Sequence, residues 1–286
     1  MDIAGSNDTN INSTIENTKN DLMTFLDSNS LVAKFAFLLL VIFVFIILLQ
    51  VTLIFMGWLL SPSDSPRLIN GMVPANQMMI IPQDPSANGS KTIYRSVNAP
   101  DGLEFTWSIW LFINDLGNDN PRYKHIFHKG NDEIAQNGLN FPNNSPGLYL
   151  SPNTNELTLI MNTFNVINEE VIIDDIPINK WVNVIIRCSN VDLDVYINGT
   201  ITKSVKLTGV PKQNYGDVFV GMNGGFNGYI SNLWYYNYAL GTAEIQRLVR
   251  GGPNTTMVGS SSMNMKNPDY LSLRWYFFGN EDMYNP

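Results

Sequence analysis

The stretch that decides the fold is GGFNGYISNLWYYNYALGTAEI, Gly224 to Ile245. Its first half reads at the two-residue period of a strand, and its second half changes to a helical period. Phe226, Gly228 and Ile230 share one parity, whereas Leu233 and Tyr235 take the other. A β-bulge near Ser231-Asn232 re-aims the strand and reconciles the two sets. Beyond the strand, Gly241 stands at an N-cap position, and Glu244 at the third helical position suits the positive end of the helix dipole. Ile245, Leu248 and Val249 then form an i, i+3, i+4 apolar stripe, which Gly251-Gly252-Pro253 terminates. The expected result is one short helix lidding an end of a β domain.

Working outward, strand signals fill the chain from Met78. MMII, KTIYRSV, LEFTWSIWLFI, HIFHKG, GLYLS, ELTLIMN, EEVIID, WVNVIIRC, DLDVYING, TITKSVKL and DVFVGM are short runs rich in β-branched and aromatic residues, divided by Gly, Pro, Asn and Asp. Without helices between them, they predict an all-β antiparallel sandwich or jelly roll. In VDLDVYING, Val191, Leu193, Val195 and Ile197 face the core, and Asp192, Asp194, Tyr196 and Asn198 face outward. Asn198-Gly199 supplies the positive φ of a hairpin turn. In LEFTWSIWLFI both parities are apolar, with Phe105, Trp107 and Ile109 on one side and Trp110 and Phe112 on the other. That strand is predicted to be covered on both faces.

The other feature is FAFLLLVIFVFIILLQVTLIFMGWLL, Phe35 to Leu60, in which Gln50 is the strongly polar interruption. At ~1.5 Å per residue it reaches roughly 39 Å, enough to cross a ~30 Å hydrocarbon core when tilted. A signal peptide has a shorter apolar core, and a buried soluble helix is rarely apolar all round. The expected organisation is a polar tail over 1–30, a transmembrane helix over 31–60, a Pro-rich linker over 61–77 and a β domain over 78–286. Lys19 and Lys34 before the helix against Arg67 after it leave the orientation open.

The run WVNVIIRCSNVDLDVYINGTITKSVKL, followed by VFVGMNGGFNGYISNLWYYNYALGTAEIQRLV, resembles the C-terminal half of the concanavalin A-like lectin/glucanase superfamily, in its laminin G-like jelly-roll form. EFTWSIWLFI with IFHKG resembles the N-terminal half, so the likeness covers roughly Glu104 to Val249. The resemblance implies a concanavalin A-like sandwich with one capping helix. Such domains usually carry an acidic residue after Gly-x-Ile and a Ser before the helix, where this chain has Ser231 and Gly241. Calcium is a possible ligand of such an edge, but this chain offers no matching ligand set for it, and no cofactor is expected. The layout of membrane helix, Pro-rich linker, jelly roll and the tail YLSLRWYFF also resembles membrane-anchored virion proteins of large double-stranded DNA viruses.

Residue chemistry narrows the function classes. Glucanases of that superfamily place Glu-x-Asp-x-Glu on one strand, and this chain has no such run. Asp192 with Asp194, and Glu169-Glu170 with Asp174-Asp175, read as solvated strand faces or turns, so no catalytic residues are expected. His125 and His128 in HIFH fall at opposite strand parities, which is wrong for shared metal ligation. NDNPRY, Asn118 to Tyr123, is similar to the Asn-Pro-Arg of galectins but lacks their other partners. Trp234, Tyr236 and Tyr238, with Tyr229 and Tyr235 beside them, either stack on sugars or pack against Leu271, Leu273, Trp275 and Phe277 of the tail. Packing is the favoured reading, because sandwich edges need cover.

Composition bounds the partners. The 286 residues are 44% hydrophobic and 15% charged with a net charge of -8, and no basic cluster stands out. Nucleic acid is therefore excluded as a partner, since phosphate binding needs a Lys/Arg surplus on some face. Cys188 is alone and cannot form an internal disulfide. Sequons at Asn7, Asn12, Asn88, Asn198 and Asn254 point the other way, but in so Asn-rich a chain several arise by chance, so they leave the side of the membrane open. The expectation is a non-enzymatic, single-pass structural or binding protein, a minor virion or capsid-associated component tethering a lipid bilayer to a protein shell. The alternative is a surface lectin recognising glycans.

Overall fold

The structure, a computed structural model, describes residues 16–21, 23–24, 30–60, 63, 65–96, 98–99, 102–117 and 121–258. It divides into two compact units, Met1–Ser61 and Pro62–Pro286. The expected terminal strand YLSLRWYFF and most of the polar N-terminal tail lie outside the described residues.

The first unit is dominated by α1, Leu31–Leu60, a 30-residue helix about 45 Å long. Ser30 begins it, its hydroxyl accepting from the Ala33 amide at 3.2 Å and its carbonyl from the Lys34 amide at 3.2 Å. Thr52 donates back to the Leu48 carbonyl at 2.7 Å, so its hydroxyl is satisfied within the helix. The apolar side chains stand outward on every side, with Phe35 60%, Ile54 71% and Trp58 72% exposed. By length and composition, this helix is long and apolar enough to cross a membrane.

The second unit is a two-layer antiparallel sandwich. Its strands are β1 (Met72–Pro74), β2 (Met79–Ile81), β3 (Asn98–Ala99), β4 (Gly102–Ile113), β5 (Lys124–Gly130), β6 (Asn144–Leu150), β7 (Leu157–Met161), β8 (Glu169–Ile173), β9 (Trp181–Ser189), β10 (Asp192–Ile197), β11 (Thr200–Lys206), β12 (Asp217–Val220) and β13 (Gly228–Tyr236). One sheet runs β1-β13-β4-β9-β10-β11, with β3 added beside β4, and the other runs β2-β12-β5-β6-β7-β8. Between them lies one core. Phe105, Trp107, Ile109, Leu111 and Ile113 project inward from β4 toward Phe127, Leu148, Leu150, Leu157 and Leu159. The outer face of β4 is also covered, since Thr106, Ser108 and Trp110 are buried.

The decisive stretch folds as its parity requires. Ser231 pairs Trp110 and Trp234 pairs Ser108, so Asn232 and Leu233 together oppose Ile109. Asn232 takes φ 50 at this bulge, and Ile230, Leu233 and Tyr235 all point inward. Asn198 and Gly199 turn the β10–β11 hairpin with φ 51 and 80. The helix α2, Thr242–Gly251, starts at Gly241, whose amide donates to Glu244 Oε2 at 2.9 Å. Rather than closing an end of the sandwich, it lies on the outer face of the β1-containing sheet, where Ile245 and Leu248 join Ile185, Tyr196 and Leu240. Gln246 ties it to the hairpin by donating to the Gly199 carbonyl at 3.0 Å.

Two sequence expectations need correction. The 61–77 stretch is not simply a linker, because Leu68, Ile69, Val73 and Ala75 are core residues. The amides of Leu68 and Ile69 donate to the Leu233 carbonyl at 2.8 and 3.2 Å, and β1 pairs β13 with Val73 opposite Ile230. Its prolines are compatible with pairing because β1 is a short edge strand. KTIYRSV, by contrast, forms no strand over residues 91–96. The Gln83 side chain substitutes for a neighbouring strand there, accepting from the Ile93 amide at 2.8 Å and donating to the Lys91 carbonyl at 3.0 Å. Lys91 itself donates to the Leu68 carbonyl at 2.7 Å, fixing this coil to the sandwich.

Candidate functional site

The bulge that turns Tyr235 inward turns Trp234 and Tyr236 outward. Their rings stack with centroids 5.9 Å apart and planes 15° from parallel, and Tyr238 meets Tyr236 edge-on at 6.0 Å. Arg67 lies 5.3 Å from the Trp234 ring centroid, a cation–π contact, and also hydrogen-bonds Asn232 Oδ1. At the other end, the Tyr238 hydroxyl donates to Glu244 Oε1 at 3.1 Å. The row thus runs from Arg67 to the first turn of α2, and its three rings are half-buried. Burial, with the Tyr238 hydroxyl and Glu244 nearby, pushes the Tyr236 phenol up to about 12. Tyr229 stands apart, packed edge-on against Phe112 at 6.4 Å. The fold therefore brings Trp234, Tyr236 and Tyr238 together and sends Tyr235 into the core.

A second feature is a cleft of about 390 Å³ between the sheets, bordered by the coil at 83–95 and the loop at 213–217. The buried Phe105, Trp107 and Tyr235 form its inner wall, Ile93 adds apolar lining, and Arg95, Lys129, Gln213, Asn214, Tyr215 and Asp217 line it with polar groups. Arg95 donates to the Tyr215 hydroxyl at 3.3 Å and lies 5.7 Å from that ring. The Lys129 ammonium donates to the carbonyls of Asn214 at 2.8 Å and Gly216 at 2.7 Å. Burial brings its pKa down to about 8, against the opposing pull of Asp217. Sequence reading missed this cleft. Its walls come from β4, β5, β12 and β13, and its signal was Tyr215, an exposed aromatic in a loop flanked by amides.

Two of the acidic candidates, Asp194 and Glu169, have structural partners. Asp194 pairs with Arg187 across β9 and β10 at 2.9 Å and accepts from the Ser204 hydroxyl at 2.7 Å. Glu169 accepts from the Thr208 amide at 2.9 Å. Ser231 exchanges hydrogen bonds with the Asn254 backbone at 2.8 and 3.0 Å. No group of three or more His, Cys, Asp or Glu is placed to hold a metal among the described residues.

The histidines depart from the sequence expectation. His125 pairs Tyr149 and Phe127 pairs Leu148, so Ile126 is an extra residue in β5. This bulge cancels the parity difference and brings both rings together, fully buried. The geometry fixes their tautomers. His128 Nε2 must donate to the Asn131 carbonyl at 2.7 Å, leaving its Nδ1 to accept from His125 Nε2 at 2.6 Å. His125 Nδ1 then accepts from the Met222 amide at 3.0 Å. Both rings are neutral in this chain, and desolvation lowers His128 to about 4 and His125 well below its usual value.

The fold defines an antiparallel jelly-roll sandwich, a class with many functions. Residues 86–246, more than half of the chain, match a laminin G-type family model of the concanavalin A-like lectin/glucanases superfamily, and the chain belongs to that superfamily. Among solved structures, it is similar to the receptor binding domain of botulinum neurotoxin D, at 15% identity and a TM-score of 0.45 over 64% of this chain and 43% of that one. The botulinum neurotoxin serotype G binding domain matches at 13% identity and 0.44, over 63% of this chain and 46% of that one. The binding domain of botulinum neurotoxin DC, solved with rat synaptotagmin II, matches at 15% and 0.43, again over 63% and 46%. The chain thus spans less than half the length of each of these structures. The comparison with curated proteins finds no match.

Proposed function

We propose that this protein is a single-pass, membrane-anchored binding module that acts as a scaffold without catalysis, tethering a bilayer to a protein shell or partner, as a minor component of a virion would. The observation that carries this reading is the contrast between the two units. The sandwich buries its own apolar residues in a closed core, whereas α1 keeps Phe, Leu and Ile side chains outward all round. An uncovered apolar helix of that length is matched by a bilayer. The strand-pair ion bridge at Asp194 and the hydrogen-bonded Glu169 act as structural groups in this reading, not as an acid/base pair.

The test is to locate the full chain in purified membranes or particles by mass spectrometry, with cross-linking to identify what touches the sandwich. Recovery in the lipid fraction, cross-linked to a structural protein, is the expected result. A freely soluble chain with no protein neighbour contradicts it.

A second reading, a surface lectin, is favoured by one feature. Trp234, Tyr236 and Tyr238 form a continuous, half-buried aromatic row that could present ring faces to a sugar. A glycan array positive for the intact protein and negative for a well-folded Trp234→Ala variant selects this reading over the scaffold.

A further inference from the structure

The cleft between the sheets holds hydrogen-bonding capacity that the described residues leave unused. Trp107 and Tyr235 are 1% and 4% exposed, and both line the cleft. Neither the Trp107 indole N–H nor the Tyr235 hydroxyl has a hydrogen-bond partner among the described residues, although their rings touch at 5.0 Å. Buried indole and phenol groups usually find partners. Among the described residues, the unpartnered polar side-chain atoms sealed from solvent are Arg67 Nε, Asn140 Oδ1 and Asn183 Oδ1. The indole and the phenol are not among these, so both reach open space, and the open space bordering their residues is the cleft.

The charges at the opening are set as follows. Lys129 spends its donors on neutral oxygens of Asn214 and Gly216, and Arg95 binds Gln213 and Tyr215. Neither cation makes an ion pair among the described residues. Of the two carboxylates on the cleft, Asp84 accepts from the Ser86 amide and hydroxyl, and Asp217 from the Gln83 amide. The cleft therefore offers an apolar inner wall, two donors on that wall, and two cations that make no direct ion pair among the described residues, with Asp217 acting on Lys129 only at longer range. At about 390 Å³, it falls in the roughly 300–1,000 Å³ range of small-molecule sites.

We infer that this cleft is a binding site for a small molecule with an apolar body and an acceptor oxygen, a carboxylate or a neutral carbonyl, received by Trp107 Nε1 and the Tyr235 hydroxyl. The body lies against Phe105, Ile93 and the two aromatic rings. A sugar seated against Phe105, Trp107, Tyr235 and Ile93 is disfavoured, because each hydroxyl of a buried pyranose needs a partner and those four side chains supply only these two groups, the other polar groups lying elsewhere on the lining. The site is independent of the outward row at Trp234 and Tyr236, which lies on the other face of the same strand.

The test uses the full chain in lipid nanodiscs, with empty nanodiscs subtracted. The probes are 4-phenylbutyrate as the carboxylate, 4-phenylbutan-2-one as the neutral carbonyl and methyl β-glucoside as the polyol, followed by titration calorimetry and saturation-transfer NMR. Saturable binding of either of the first two probes, and none of the glucoside, is expected. Preference for the carboxylate that disappears in Arg95→Ala identifies an anion, and equal binding identifies a neutral carbonyl. Tyr235→Phe weakens binding about tenfold and leaves the melting temperature unchanged, because the hydroxyl has no partner to lose among the described residues. Absence of saturable binding, binding unaffected by Tyr235→Phe, or preferential binding of the glucoside overturns the inference.

Discussion

Acidification should loosen the sandwich through its histidine relay. His125 and His128 each need a neutral ring, since Met222 and His125 donate into lone pairs that a proton would occupy. The rings facing the pair are Tyr149 edge-on at 5.4 Å and Phe219 stacked at 5.0 Å, and among the described residues neither imidazole hydrogen-bonds a carboxylate that would compensate a new charge. His128 titrates near 6.5 when unfolded and at about 4 when folded. The unfolded chain therefore binds more protons below 6.5, and stability falls as pH drops through that window. For His128 alone the loss is about 2 kcal/mol by pH 5 and about 3 kcal/mol once pH is below 4. His125 shifts in the same direction and adds to it. Urea unfolding of the full chain, followed by tryptophan fluorescence from pH 7.5 to 4.5, measures the slope. The His125→Gln/His128→Gln double variant, less stable at neutral pH, should lose most of the pH dependence. A stability constant down to pH 5, or an unchanged slope in the double variant, refutes the relay as drawn.

Other outcomes follow from local geometry. Gly225 sits at φ 48, and a Cβ there would collide with the Ala75 carbonyl oxygen, so Gly225→Ala should cost more than about 2 kcal/mol in a chemical melt. Trp234→Ala removes one ring of a half-buried stack and its cation contact, and is expected to cost about 2 kcal/mol in the same assay; unchanged stability with lost glycan binding would support the lectin. A domain held on the cytosolic side should carry no glycan at Asn198 or Asn254 when made in eukaryotic cells. An endoglycosidase mobility shift that disappears in Asn198→Gln and Asn254→Gln would place it in the secretory lumen.

Much of the sandwich was legible because its signals are local. The alternation Leu193, Val195 named a core face, Asn198-Gly199 named a turn, and the parity break between Ile230 and Leu233 located a bulge before any coordinates. The bulge in β5 was not legible, because Ile126 and Phe127 are both apolar and both buried, so parity gave no warning that His125 and His128 meet. β1 was hidden by Pro74 and by Pro62 and Pro66 before it, since an edge strand tolerates the residues that mark a linker. The coil at 91–96 read as a strand because its residue types are right, while the Gln83 side chain that replaces its neighbour acts across the sequence. The aromatic row was visible as the i, i+2 spacing of Trp234, Tyr236 and Tyr238, which runs off the end of β13. The cleft was not, because Trp107, Lys129, Gln213 and Tyr235 reach it from separate strands and loops.

Membrane anchorage by α1 is tested most directly by alkaline carbonate extraction of cell membranes holding the full chain, beside a chain lacking residues 1–64. That cut spares Leu68, Ile69 and β1, which the sandwich needs. The full chain should stay in the membrane pellet with an intact mass that includes Leu31–Leu60, while the shortened chain is soluble and folded. Release of the full chain by carbonate, or a mature mass lacking the helix, would contradict the anchor.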